Sequence, residues 1–293
     1  MAISKLSKST LLQNLAKDND AAPLSEVMPV AIDYLILAGG GGGASGLGVN
    51  RNGGGGGAGG YLAGSTTVYR NRAYVITVGA GGAGKNTSFA AGDQGSPSAA
   101  FGLYALGGGG GGAYGYVGGG GGSGGGSGDS ISYGGGNGIQ SSSPYGSAAQ
   151  GFNGGAGRGT TSYSGAGGGG GAGGLGVNST VSETGGVGGA GLSSSITGTS
   201  VTRAGGGGGA RYAAGGSNLG GQGSNESTNG GNAVANTGSG GGGSCNATGG
   251  NGSGGIVIVK SPIPARLLIG SPSSGVDGAF YIYQFTGDGS ITF

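Results

Sequence analysis

An alternating apolar stretch, IDYLILA at 32–38, runs straight into five consecutive glycines at 39–43, and that junction constrains the fold more than any other feature of the chain. Uninterrupted glycine blocks recur at 53–57, 107–112, 118–122, 167–171, 205–209 and 240–243, with Ala, Ser, Asn or Tyr between them. A glycine block has no side chains to bury, and glycine loses more backbone freedom on ordering than any other residue. Order must therefore come mostly from backbone hydrogen bonds and close backbone packing, with neighbouring subunits as a further source.

Glycine supplies 90 of the 293 residues, which places the chain in a narrow compositional class. It is not collagen, because the glycines are contiguous instead of every third residue and there are only 7 prolines. Leu, Ile, Val and Phe together fall below the share of roughly 20% typical of foldable domains, which favours disorder. Against disorder stands a net charge of only +2 with 8% charged residues, too little self-repulsion to hold a chain open. Polyproline-II geometry resolves the conflict. It has three residues per turn and no internal hydrogen bonds, so its N–H and C=O groups point outward, and parallel stacks of such helices can satisfy one another where glycine lets the axes approach.

In chain order, residues 4–17 hold the one convincing helical pattern, with Leu6, Leu11, Leu12 and Leu15 on one stripe and Lys5, Lys8, Asn14 and Lys17 mostly off it. That helix either packs on its own domain or docks into a partner. Residues 18–29 read as an extended linker, with Pro23 and Pro29 blocking helix continuation. Strands are expected at 31–38 and 73–79, and Tyr61 and Leu62 between them read as the edge of a bundle and not as a hairpin. From 89 to 203 the chain is low in complexity and almost free of charge, and is expected to stack laterally without unpaired buried charge. Ordinary β patterns return across 255–293 (GIVIVK, RLLI, AFYIYQF, SITF), and these strands are expected to pair with those near residues 32 and 75.

Most chemical motifs fail on inspection. GAGGAGK at 79–85 meets the first seven positions of a P-loop, but Asn86 stands where Ser or Thr must ligate magnesium, and no helix pattern follows. With no histidine and the single cysteine Cys245, thiolate–imidazole metal sites and an intrachain disulfide are excluded, and no metal or cofactor is expected. Asp93, Asp129 and Glu183 show no spacing that would pair them as acid and base, so no enzymatic activity is expected. Twelve basic and ten acidic residues make no basic stripe, which argues against nucleic acid as a partner. No apolar run is long enough to span a membrane, and residues 1–17 lack the apolar core of a secretory signal.

Thirteen tyrosines with no tryptophan remain, many set among Gly, Ser and Asn, the combination that gives rigid aromatic contact and adaptable hydrogen bonding in binding loops. The rings either fill gaps between glycine helices or form a recognition surface. Tyr133, Tyr145 and Tyr163 lie in Ser-rich surroundings that favour saccharide stacking, and with Phe152 they interrupt the glycine blocks as candidate surface loops.

The phrases IDYLILAGGGGG (32–43), GGGAGGYLAGST (55–66), YVITVGAGGAG (74–84), GGNGSGGIVIVK (249–260) and YQFTGDGSITF (283–293) resemble the glycine-rich domain of bacteriophage tail-fibre and adhesin proteins, over residues 31–293. The resemblance implies a virion protein of a tailed phage, in which a sandwich of polyglycine-II helices carries loops that meet the host. By that analogy the inserts at Tyr133, Tyr145, Phe152 and Tyr163 face the receptor. The N-terminal region is far shorter than the attachment domain of such tip adhesins.

The fold expected is mainly β and irregular, with a short N-terminal helix and β strands capping a bundle of stacked polyglycine-II helices. Residues 1–30 would be the helix and linker that attach to other virion proteins, through Leu6, Leu11, Leu12 and Leu15. Residues 31–293 would be the fibre or adhesin body, a homotrimer by resemblance, binding a bacterial surface glycan or outer-membrane receptor. The alternative is a structural head, neck or baseplate fibre with no receptor role. A secreted glycine-rich wall or ice-binding protein is disfavoured by the lack of a signal peptide and of a strict repeat period.

Overall fold

The computed structural model describes residues 28–46, 51–129, 134–139, 149–159, 164–180, 184–225 and 228–293. The helical pattern at 4–17, with Leu6, Leu11, Leu12 and Leu15, lies outside the described residues. Among those described, the chain is mainly β and irregular, and helix is confined to one short 3-10 turn at Gly216–Asn218.

The strands are β1 (Pro29–Leu37), β2 (Tyr61–Tyr69), β3 (Ala73–Ile76), β4 (Ser98–Ala100), β5 (Leu103–Ala105), β6 (Leu192–Ser194), β7 (Val201–Arg203), β8 (Ile256–Ser261), β9 (Leu267–Ile269), β10 (Ser273–Asp277), β11 (Phe280–Phe285) and β12 (Gly289–Thr292). An antiparallel sheet runs β10-β11-β8-β1-β2, and a second runs β3-β12-β9. At the centre of the first, β1 places Leu35 opposite Ile258 and Leu37 opposite Ile256.

These central strands read as continuous apolar runs because both faces of the sheet are covered. One face buries Ile36, Val257, Val259 and Phe285 with Ile76, Ile291 and Phe293 of the second sheet. The other buries Leu35, Leu37, Ile256, Ile258 and Ile282. Fully burying each such side chain contributes about 1.5–3 kcal/mol, so this region is the apolar anchor of the fold.

Residues 61–69 correct the sequence reading, since they form edge strand β2, paired with β1 from Tyr61 opposite Leu37 to Tyr69 opposite Pro29. The strand was hard to read because small and polar residues fill its exposed positions, as suits an edge. Hairpins β4–β5 and β6–β7 inside the low-complexity region are likewise additions that composition concealed.

Beyond the strands the glycine runs carry a hydrogen-bond period of three. From 38 to 45, the N–H groups of Ala38, Gly41 and Ala44 donate to the carbonyls of Gly60, Gly57 and Gly54. Those of Gly39, Gly42 and Ser45 donate to Ser96, Asp93 and Ala90, and those of Gly40 and Gly43 to Ser253 and Gly250, all at 2.8–3.1 Å. The carbonyls keep the same period. Gly39 and Gly42 accept from Gly108 and Gly111, Gly40 and Gly43 from Gly82 and Lys85, and Gly41 and Ala44 from Gly241 and Ser244. The run therefore donates to three neighbours and accepts from three others. In a β ladder the bonds would alternate with a period of two toward only two neighbours.

Such contacts demand glycine on steric grounds. A Cβ on Gly41 would overlap the Gly109 carbonyl, and one on Gly56 the Gly41 carbonyl. Successive runs alternate in direction, out from the strands and back. Residues 39–46 lead outward and 52–60 return, 79–85 outward and 90–96 return, and the bonding of 107–112, 123–129, 204–210 and 238–245 marks them as outward runs. Connections thus fall at two ends, one carrying the strands and Met28, the other carrying turns alone.

Charge is nonetheless buried in this region, at Asp129 and Arg203. Asp129 is stabilised by direct partners at the end away from the strands.

Candidate functional site: the turns opposite the strands

The turns away from the strands are where side chains return after the glycine runs, and Phe89, Tyr114, Tyr116 and Tyr212 lie on them. The turn at 113–117 closes with the Tyr116 N–H donating to the Ala113 carbonyl at 2.9 Å, with Gly115 at φ +78°. It leaves Tyr116 64% exposed. At 86–89 the Ala90 N–H bonds to the Thr87 carbonyl and Phe89 takes φ +59°, a conformation that turns its ring outward, 45% exposed. After the run 204–210, Arg211 and Tyr212 both have positive φ and Tyr212 is 65% exposed, its hydroxyl accepting from Asn225 Nδ2 at 2.6 Å. Non-glycine residues with positive φ are strained, and clusters of them mark places where surrounding contacts overrule local preference.

Arg51 links two of these turns. Its guanidinium lies 4.1 Å from the centre of the Phe89 ring and 4.5 Å from that of Tyr114, and the two rings meet edge-on at 6.2 Å. Each cation–π contact contributes about 0.5–1 kcal/mol where water has access. The result is a cationic aromatic patch with the exposed Tyr116 on the same turn as Tyr114.

Beneath the patch lies a buried polar knot. Asn52 donates from its backbone N–H to Asp129 Oδ1 at 3.1 Å and from Nδ2 to Oδ2 at 2.8 Å, and also from Nδ2 to the Ser164 carbonyl. Burial pushes the Asp129 carboxyl up from 3.8 to about 6, against the Asn52 backbone and side-chain donors and the charges of Arg211 and Arg51. A carboxyl titrating near 6 fits general-acid chemistry in principle, but here both oxygens are taken up in joining runs.

Of the residues singled out from sequence, Tyr133, Tyr145 and Tyr163 lie outside the described residues. Asp129 and Gly134, which flank 130–133, and Gly159 and Ser164, which flank 160–163, sit at the turn end. Ile139 and Gln150, on either side of 140–148, sit at the strand end, where Gln150 is bonded to Leu106 and Tyr104. Phe152 is half-buried within a run, its N–H donating to Gly171 and its carbonyl accepting from Gly124.

Sequence reasoning missed Arg51, Phe89, Tyr114, Tyr116 and Tyr212. The signal was present in the order of runs, because counting outward and return blocks from the first strand assigns each insert to an end. The P-loop-like stretch 79–85 is accounted for: its Gly82 and Lys85 N–H groups bond to the Gly40 and Gly43 carbonyls, and Lys85 pairs with Asp93 at 2.6 Å. Among the described residues no three His, Cys, Asp or Glu side chains group in a way that could hold a metal ion.

No curated protein matches the chain. A family model described as a glycine-rich domain matches residues 26–262, from just before β1 to just past β8. That match spans most of the chain and includes every glycine run described above, so the protein belongs to the glycine-rich domain family.

Proposed function

We propose that the protein is a non-enzymatic phage virion fibre or adhesin whose aromatic turns bind glycans on the bacterial surface. The observation that carries this reading is the polarity of the body. Phe89, Tyr116 and Tyr212 are exposed on turns at one end, while Met28, which leads from residues 1–27, is at the other. The aromatic turns thus stand at the end away from Met28. In this reading residues 1–30 anchor to other virion proteins through Leu6, Leu11, Leu12 and Leu15, and the body presents its turns outward, as a homotrimer and without any role in nucleic-acid binding. Tyr133, Tyr145 and Tyr163, in Ser-rich sequence, and Phe152 are further candidate receptor contacts in this reading.

The glycine runs are in this reading polyglycine-II helices stacked side by side, the scaffold that makes the body stiff. The three-residue period of donors and acceptors and the six neighbours of run 39–45 support it. Stiffness matters because turns held on a rigid lattice lose little freedom when a ligand binds.

Gold-labelled antibody against residues 31–293 on intact virions tests the proposal. Labelling at tail tips is the expected result. Labelling on heads or necks would replace it with a structural fibre lacking a receptor role, and absence of label from any virion would remove the virion assignment.

A further inference from the structure

The strand end holds a second recognition feature, on turns remote from the aromatic patch. An open cleft of about 440 Å³ lies between the β2–β3 turn and the β4–β5 turn, lined by Thr67, Tyr69, Arg72, Tyr74, Val75 and Phe101. That volume is in the range occupied by small-molecule sites. Tyr74 and Phe101 form its aromatic wall, with ring centres 5.6 Å apart and planes tilted by 54°. The Tyr74 ring is held in place from its far end, where its hydroxyl accepts from the Tyr69 N–H at 2.7 Å.

Phe101 is in a conformation its side chain disfavours. Ala100 and Leu103 are paired, so Phe101 and Gly102 make a two-residue hairpin turn, with φ +55° and +77°. A turn of this kind selects Asn-Gly, since both central residues need positive φ. Phenylalanine at the first position places a large ring beside Tyr74 at the expense of local preference, and such outliers accumulate at binding sites.

Arginines gather around the cleft, and the Phe293 carbonyl oxygen meets the β2–β3 turn, accepting from the Asn71 N–H at 2.6 Å. Arg72 lines the cleft, its guanidinium 5.6 Å from the centre of the Tyr74 ring. Arg70 lies on the same turn and is exposed, and Arg266 reaches that turn by donating to Asn71 Oδ1. Among the described residues no carboxylate side chain lines the cleft. Asp33 on β1, opposite Ser65, accepts from the Ser65 hydroxyl at 2.6 Å.

We infer that this cleft binds a carboxylate-bearing saccharide, with Arg72 as the carboxylate partner and the Tyr74–Phe101 corner as the sugar-ring platform. Guanidinium recognises carboxylate through paired N–H donors. The two rings pack directly on each other at 54°, so a ligand lies against the bent surface they form and not between them, and such a surface suits a puckered pyranose ring better than a flat base. The Thr67 hydroxyl and the Tyr69 ring, 40% exposed, add a hydrogen-bonding group and a second apolar surface.

The test is isothermal titration of the full chain with tetragalacturonate, with maltotetraose and tetraglutamate as comparison probes. Saturable binding of tetragalacturonate is expected, weakened at least tenfold by Arg72→Ala and by raising salt to 0.5 M, and at least tenfold tighter than maltotetraose. Phe101→Asn supplies the turn residue the hairpin prefers, so it should keep the fold and still weaken binding at least tenfold. Val276→Ala, exposed on β10 at the edge of the sheet opposite β2, should leave this binding unchanged, and a comparable loss there would overturn the assignment. Absence of saturable binding, or binding indifferent to Arg72→Ala, would also overturn it. Equal or tighter binding of tetraglutamate, sensitive to Arg72→Ala, would replace the saccharide with an acidic protein segment.

Discussion

Asn52 and Asp129 hold each other from both directions: Asn52 donates twice to the carboxylate, and the Asp129 N–H donates back to the Asn52 carbonyl at 3.1 Å. The pair joins the run that returns to β2 with the far end of the outward run 123–129. It is buried, so its charge state is felt in stability.

The Asp129 carboxyl titrates near 6 in the folded chain and near 3.8 when exposed. Because the folded value is the higher one, the native state holds the extra proton between these values, and stability rises as pH falls through that window. Lowering the pH from 7 to 5 should add about 1 kcal/mol to the unfolding free energy. Urea titrations at the two pH values measure this. Asp129→Asn should flatten the difference, and a variant with the same pH response as the native chain would show that another group is responsible.

Gly41→Ala puts a methyl group into the Gly109 carbonyl, and backbone on both sides leaves little room to yield. The expected cost is about 3 kcal/mol or more, at the upper end for overpacking. A Cβ on Gly134 would meet nothing within 4 Å, and its φ is not positive, so Gly134→Ala should be neutral or stabilise by about 0.4–1 kcal/mol. Thermal melts of the two variants should move in different directions or by very different amounts. Equal shifts would mean that glycine is not needed for contact between runs.

Gln150 is buried, with Oε1 accepting from the Leu106 N–H at 2.8 Å and Nε2 donating to the Tyr104 carbonyl at 3.2 Å. Gln150→Ala leaves both backbone groups without that partner and should cost about 2–4 kcal/mol. Chemical denaturation would register this as a lower midpoint with an unchanged slope. A loss under about 0.5 kcal/mol would mean that water replaces the side chain.

Tyr116→Ala and Tyr212→Ala remove exposed rings without creating cavities, so stability should change by less than about 0.5 kcal/mol. Under the proposed function the double variant should lower virion adsorption at least tenfold. Native adsorption with native stability would take these turns out of the receptor-binding account.

Much of the strand region was legible because its signals are local. The alternation of Ile32, Tyr34 and Ile36 and the run Ile256–Val259 announce strands wherever the rest of the chain goes, and both lie in the central sheet. β2 was not legible, since its Ala63, Gly64, Ser65 and Thr66 lack an apolar rhythm and owe their strand conformation to pairing with β1. The cationic patch was not legible either, because Arg51, Phe89 and Tyr114 are distant in sequence and meet only when three runs end at one level.

By itself the sequence determined that the glycine blocks would be ordered, if at all, by backbone bonding at close range. No other interaction is open to residues without side chains. Tertiary structure decided which blocks are neighbours, because every block presents the same donors and acceptors and none carries a label for its partner. That choice follows from the strands and turns, whose side chains set where each run starts and which way it travels. It is also what gathers Arg51 with Phe89 and Tyr114 at one end and Arg72 with Tyr74 and Phe101 at the other.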